Sequence, residues 1–224
     1  MKSKKFRSTL ITFGLVIAAF IVCQVMISTG SMTRSLKGQL VPICAYVVMA
    51  VSLNLTVGIS GELSLGHAGF MSVGAFSGIV MAMWLSKGVG VENQTLCLLL
   101  AILTGGVAAG IAGVIIGIPV LRLRGDYLAI VTLAFGEIIR NVINCLYISL
   151  DGQSLHIAFN NPNVPGKLLV NGPAGATGVT KIATFGMGFA LVLFTLFVVL
   201  NLIDSRSGRA IMAIRDNRIA AEAM

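Results

Sequence analysis

Charged side chains are scarce in this sequence. Asp, Glu, Lys and Arg supply 11% of its 224 residues, where soluble domains carry roughly 25%, and 56% of the residues are hydrophobic. So few charges cannot cover a water-facing surface, which excludes an ordinary soluble domain and defines a polytopic membrane protein. Negative charge is scarcer still, with 8 Asp and Glu against 16 Lys and Arg and a net charge of +8. In a membrane chain that excess is a topology signal and an attraction to membrane lipids with anionic headgroups; no nucleic-acid partner is implied. Cysteine is limited to Cys23, Cys44, Cys97 and Cys145, all in or beside apolar segments and none in a CxxC pair. This argues against a disulfide framework or a zinc site and leaves them as packing residues. No GxxxxGK(S/T) phosphate loop occurs, so ATP is not bound by that route. Nor does any HExxH, nucleophile elbow or paired acidic motif point to an enzyme, and no catalytic residue, metal or cofactor is expected.

What fills the chain is uncharged sequence. No charged residue lies between Arg7 and Arg34, Lys37 and Glu62, Glu62 and Lys87, Glu92 and Arg122, or Lys181 and Asp204. Each interval holds the ~20 apolar residues that cross a ~30 Å hydrocarbon core. Residues 127–150 form a sixth candidate, interrupted by Glu137 and Arg140. Lipid offers a bare backbone no hydrogen-bond partner, so these segments are predicted to be helices. Residues 9–27 are long for a signal-peptide core and no small-x-small site follows them cleanly, which makes them an uncleaved first span.

With six spans, both termini, a hinge at 58–63 and the loop at 121–126 share one side. That side carries Lys2, Lys4, Lys5, Arg7, Arg122, Arg124, Arg206, Arg209, Arg215 and Arg218, against Arg34, Lys37, Lys87, Lys167 and Lys181 opposite. The positive-inside rule puts the richer side, with both the N-terminus and residue 224, in the cytoplasm. The expected fold is therefore all-α, a polytopic transmembrane helical bundle of about six membrane segments. One of these is a candidate broken or re-entrant segment. The bundle occupies residues 1–204, and a cytoplasmic amphipathic segment follows at 205–224.

Three stretches depart from plain hydrophobic spanning. Residues 54–78 run from Asn54 and crowd Gly58, Gly61, Gly66, Gly69, Gly74 and Gly78 among Ser60, Ser64, Ser72, Ser77 and His67. Gly74 and Gly78, four apart, share a helix face on which another backbone packs closely. Gly58 to Gly61 is a candidate break, tolerated at membrane depth only where it is buried or lines a watery cavity. The stretch reads either as a close-packed helix pair or as a translocation path in which Asn54, Ser64 and His67 take part. His67 either satisfies a polar partner or moves a proton. Further on, Gly106, Gly110, Gly113 and Gly117 repeat the small-residue spacing before Pro119 and are expected to pack their helix tightly.

Glu137 and Arg140 are the most costly residues, since a charge at the centre of a span costs roughly 2.5–3.5 kcal/mol. Their spacing of three allows self-neutralisation, and Asn141 and Asn144 extend the polar stripe. The face is either an ion pair that fixes helix packing or a polar lining of the path. Residues 151–186 shift to Asn, Gly and Pro and read as the longest extramembrane connection. Asn93-Gln94-Thr95 matches a glycosylation sequon, a tripeptide frequent by chance. At the end, Ile211, Met212, Ile214 and Ile219 recur at helical spacing among Arg209, Arg215, Asp216 and Arg218, beside the pair Ala220-Ala221. Such a segment lies on a membrane surface or docks into a partner's groove.

Three ordered blocks carry a resemblance: SLNLTVGISGELSLGHAGFMSVGAF at 52–76, LRLRGDYLAIVTLAFGEIIRNVIN at 121–144 and SRSGRAIMAIRDNRIAAEAM at 205–224. Together they resemble the permease subunits of bacterial ABC importers for branched-chain amino acids, inner-membrane components of binding-protein-dependent transport systems, over most of the chain. The resemblance implies separate ABC ATPase subunits, a second permease subunit and a periplasmic solute-binding protein as partners, and transport by alternating access. It also implies that residues 205–224 are the coupling loop with the family's EAA pattern, gripped by the ATPase through Gly208, Arg209, Arg215, Ala220, Ala221 and Glu222. Ile219 stands where that pattern has its leading Glu. Glu222, Ala223 and Met224 follow the alanine pair where the family's glycine comes next, so the chain resembles the N-terminal part of a permease truncated after the coupling loop. Similar permeases carry urea, amides or other amino acids. A rival class is an ion-coupled secondary carrier, with Glu137, Arg140 and His67 moving protons without ATP.

Overall fold

The computed structural model describes residues 2–88, 90, 93–120, 122–123, 125–152, 154–161, 163–179, 182–217 and 221; the side chains of residues 2–6 and 8 lie outside this description. In chain order the elements are α1 (Lys2–Ser28), α2 (Arg34–Asn54), a π-helical turn (Leu55–Ser60), α3 (His67–Met83), a second π-helical turn (Trp84–Gly88), α4 (Gln94–Val120) and α5 (Asp126–Asn144). They continue with β1 (Leu146–Asp151), β2 (Ser154–Phe159), β3 (Lys167–Asn171), a 3-10 turn (Gly172–Ala174), α6 (Phe185–Asp204) and α7 (Arg206–Asp216). The chain divides into two compact units, Met1–Leu55 with Ala183–Met224, and Thr56–Ile182.

Among the described residues, five helical segments are long and apolar enough to cross a membrane: Thr9–Ser28, Arg34–Ser60, His67–Gly88, Gln94–Val120 and Phe185–Asp204. At 1.5 Å per residue, even the 20-residue α6 reaches about 30 Å, the thickness of the hydrocarbon core. Large apolar side chains such as Leu15, Leu103, Val114 and Phe194 are exposed along these helices, as a lipid solvent allows and water does not.

In the first unit, α1 meets α6 through rings: Phe20 stacks on Phe189 with centroids 4.1 Å apart and on Phe185 at 5.2 Å. α2 meets α6 where Gly188 has no side chain; a Cβ there would stand 3.1 Å from the Cβ of Cys44. Cys44 is buried at this contact, a packing role.

The second unit is built around α3. Antiparallel α4 crosses it at backbone contact distance. A Cβ on Gly105 would lie 2.6 Å from the carbonyl oxygen of Gly74, one on Gly74 3.2 Å from that of Gly105, and one on Gly78 3.0 Å from that of Ala101. Small residues let two helices touch where lipid supplies no hydrophobic drive between them. The contact face of α4 is thus Ala101, Gly105 and Ala109, which corrects the expectation placed on Gly106, Gly110, Gly113 and Gly117. A Cβ on any of those four would meet nothing within 4 Å among the described residues. Gly106 and Gly110 stand one residue off that face, and one residue turns a helix face by roughly 100°; Gly113 and Gly117 continue the four-residue steps from Gly105 and Ala109, beyond the contacts at Gly74 and Gly78. α4 begins where Asn93 caps it, its Oδ1 accepting from Thr95 N at 3.2 Å and its carbonyl from Cys97 N at 3.1 Å. This gives the sequon's Asn a local structural task.

α5 runs parallel to α3. Its N-terminal half meets the start of α3 at Gly66–Thr132 and Gly69–Gly136, and its C-terminal end leads, as that of α3 does, to the sheet. Asp126, Glu137 and Arg140 lower the apolar character of α5, and the sixth span expected here is not among the five helices apolar enough to cross a membrane.

The connection expected beyond α5 carries a sheet not anticipated from the sequence. The candidate span at 127–150 ends as helix at Asn144, and β1, β2 and β3 form an antiparallel sheet in the order β2-β1-β3. β1 and β2 pair from Leu146 with Phe159 to Asp151 with Ser154. Leu150 and Leu169 of the sheet pack with Met83, against Ile79 and Trp84, and the buried Ser149 donates to the Pro165 carbonyl at 2.6 Å. Hydropathy windows miss strands of five or six residues. Asp151-Gly152 between alternating apolar runs is nevertheless a hairpin signal, and Gly152 adopts φ +58°.

Candidate functional site: the cleft between α3 and α5

The break expected at 58–61 falls at its last residue, Gly61. Helix continues from α2 through the π-helical turn Leu55–Ser60, then Gly61 takes φ +74° and the chain runs irregularly to Gly66. A positive φ is readily reached only by glycine. The irregular segment is pinned to α5: Thr132 Oγ1 accepts from Leu65 N at 3.1 Å and donates to the Ala129 carbonyl at 2.9 Å, while Gly66 lies against the Thr132 carbonyl. Thr132 is itself buried. Thr132→Val keeps the shape and removes the oxygen, leaving Leu65 N–H without its partner at an expected cost of about 1–3 kcal/mol. Thermal unfolding in detergent measures it; an unchanged midpoint counts against this hydrogen bond as the pin.

One step along, Gly69 and Gly136 bring the helices together, with a Cβ on Gly69 falling 3.1 Å from Gly136 Cα. Beyond that contact a cleft of about 340 Å³ opens between the two helices. Leu65, Phe76, Leu133 and Ile143 supply most of its apolar wall, Ser72 and Asn144 add polar groups, and Gly172 to Gly175 close one end from the turn after β3. Glu137 and Arg140 also line it. A single nitrogen, Arg140 Nη1, reaches both carboxylate oxygens of Glu137, at 2.9 and 3.2 Å. The side chains of Glu137 and Arg140 remain 54% and 69% exposed respectively, so the pair is not locked in a core.

Of the residues expected to border a path, the cleft gathers Glu137 and Arg140 and leaves the others out of its wall. Asn54, exposed at the end of α2, belongs to the first unit. Ser64 lies half-buried in the irregular segment, His67 half-buried at the start of α3, and Asn141 exposed on α5. Gly69, Ser72 and Phe76 fall within the 54–78 stretch read as a candidate path, whereas Leu133 and Gly136 were not singled out. On α5 the signal was available, because 133, 136, 137, 140, 143 and 144 recur at helical spacing through the charged pair. The loop residues at 172–175 carry no such pattern.

The segment expected to couple to a partner begins at a tight corner. α6 ends at Asp204, Ser205 is extended, and its Oγ accepts from Gly208 N at 3.0 Å as the cap of α7. Gly208 is buried; a Cβ there would strike the Leu202 carbonyl oxygen and stand 2.7 Å from that of Ile203. On α7 Ile211 and Ile214 are exposed, as is Arg209, and Arg215 pairs with Asp216 at 2.9 Å. Ala221 N donates to the Asn217 carbonyl at 3.0 Å. Ala220 and Glu222 lie outside the described residues, as do Arg124, Lys181, Arg218 and Ile219.

Glycine-packed apolar helices, a charged pair lining a cleft in a parallel helix pair and a basic amphipathic helix straight after a candidate span describe a multi-pass helical membrane protein. Residues 35–224 match the family model described as "Branched-chain amino acid transport system / permease component", and the chain belongs to that family. It is 30% identical to the high-affinity branched-chain amino acid transport system permease protein LivM of Salmonella typhimurium, over 89% of this chain and 47% of the relative. To the LivM protein of Escherichia coli it is 31% identical, over 80% of this chain and 43% of the relative. The chain thus spans less than half the length of these relatives. No solved structure matches it.

Proposed function

We propose that this chain works in the bacterial inner membrane as part of a permease subunit that imports branched-chain amino acids, driven by ATPases on separate chains. The family match from α2 to residue 224 carries this reading. It agrees with the absence of a phosphate loop in the sequence, which requires the energy to come from elsewhere. α7 and residues 217–224 then form the coupling segment, on the cytoplasmic side with the N-terminus. Ile211 and Ile214 offer apolar contact to an ATPase groove and Arg209 a charged one. A second permease subunit and a periplasmic binding protein complete the assembly, and nucleotide acts by favouring one of two arrangements of the helices.

The test uses the whole protein, co-expressed with a second permease subunit, ATPase subunits and a solute-binding protein of the same kind of importer and reconstituted in proteoliposomes. Labelled leucine, isoleucine and valine are expected to accumulate only when ATP is present on the ATPase side. Uptake driven by an ion gradient without ATP overturns the reading in favour of a secondary carrier; ATP-driven uptake of urea or amides alone overturns the solute assignment.

A further inference from the structure

The ion pair in the cleft is half-made on the arginine side. Arg140 spends one nitrogen, Nη1, on both oxygens of Glu137, and among the described residues its Nε and Nη2 have no hydrogen-bond acceptor. A guanidinium binds a carboxylate best through two parallel N–H groups, so the unused edge is an open carboxylate fork. Beside it the Glu137 carboxylate, 54% exposed, is free to accept from an ammonium. The two charges sit one helical turn apart. The rest of the wall is largely hydrocarbon, from Leu65 and Phe76 on one side and from Leu133 and Ile143 of α5 itself. At about 340 Å³ the space stands at the small end of the ~300–1,000 Å³ range of ligand pockets, room for one amino acid and not for a peptide.

The geometry points to a head-group exchange: the cleft receives an apolar α-amino acid as its zwitterion, whose carboxylate takes the open edge of Arg140 while its ammonium replaces Arg140 at Glu137. The apolar wall takes the side chain. This rests on the import function proposed above and adds which atoms read the solute. It also accounts for the placement of two charges in a costly segment: empty, they neutralise each other, and filled, each is neutralised by the solute, so charge stays paired in both states. The exchange breaks one ion pair and forms two, with no net change of charge in the cleft.

The experiment measures equilibrium binding of labelled leucine to the purified assembly without the solute-binding protein, in competition with leucinamide, which lacks the carboxylate, and 4-methylpentanoate, which lacks the ammonium. Wild type is expected to prefer leucine to both. Arg140→Gln is expected to weaken leucine by roughly tenfold to a hundredfold while leaving leucinamide nearly unchanged. Glu137→Gln is expected to do the same for leucine while sparing 4-methylpentanoate, and Arg140→Lys to recover only part of the loss. A pair that merely packs helices would lower all three ligands together, and that result overturns the inference, as does unchanged leucine binding in both variants. Failure of the wild-type assembly to bind leucine at millimolar concentration overturns it too. Where ATP-driven leucine uptake persists in wild type alongside any of these results, only the head-group reading falls; where uptake itself is absent, the proposed function falls first.

Discussion

Gly105→Val is expected to abolish the folded protein or lower its unfolding midpoint sharply. The Cβ would stand 2.6 Å from the Gly74 carbonyl oxygen and 3.4 Å from its carbon, and both are backbone atoms of a helix with no rotamer to adjust. The helices must separate. Separation also loosens the neighbouring contact, where the Ala101 carbonyl oxygen lies so close to Gly78 that a Cβ there would stand 3.0 Å from it. Overpacking costs about 1–3 kcal/mol where side chains can adjust and more where they cannot, against a total stability of roughly 5–15 kcal/mol. Gly106→Ala, one residue on and with no neighbour within 4 Å, is the control and is expected to leave the midpoint unchanged. Size-exclusion profiles in detergent and thermal unfolding measure both. Equal midpoints for Gly105→Val and wild type would show that α3 and α4 do not cross at this contact.

Gly208→Val is expected to leave a membrane-inserted protein that no longer couples. The last carbonyls of α6 sit directly on Gly208, that of Leu202 in contact and that of Ile203 at 2.7 Å from a Cβ, so any side chain tilts α7 off its corner. The Ser205 cap cannot hold it, since a cap contributes only about 1 kcal/mol and Gly208 N is the group it binds. With α7 displaced, Ile211, Ile214 and Arg209 leave the place from which a partner would be met. ATP-driven uptake is expected to fall by more than about tenfold, with the amount of protein in the membrane close to wild type. Ser205→Ala should show a smaller loss of the same kind. Uptake equal to wild type in Gly208→Val would remove the corner from the coupling route.

The two glycines illustrate how a sequence reports packing. Spacing of small residues announced that α3 and α4 would be close, and Gly74 and Gly78 stand on the contact face. It also drew attention to Gly106 and Gly110, one residue off the contact face of α4, and to Gly113 and Gly117, further along α4, where a Cβ would meet no neighbour within 4 Å among the described residues. A periodic pattern gives an interval, and the rotation of one helix about its axis is decided by the partner. The sheet was harder to read for a different reason: its strands of five or six residues sit within a stretch rich in Asn, Gly and Pro. The polar composition suits the loops around β1 to β3, and only the Asp151-Gly152 turn marked a hairpin.

For this protein the linear chain determined what depends on solvent and on near neighbours. Scarce charge required a membrane, long uncharged runs required helices because lipid cannot satisfy a bare backbone, and a spacing of three between Glu137 and Arg140 required them to meet. Tertiary structure alone decided that α5 lies parallel to α3, that Gly69 and Gly136 let them touch, and that the turn at 172–175 closes the cleft beside the charged pair. Those contacts join residues tens of positions apart, and their positions follow from how whole helices pack, which no local period encodes.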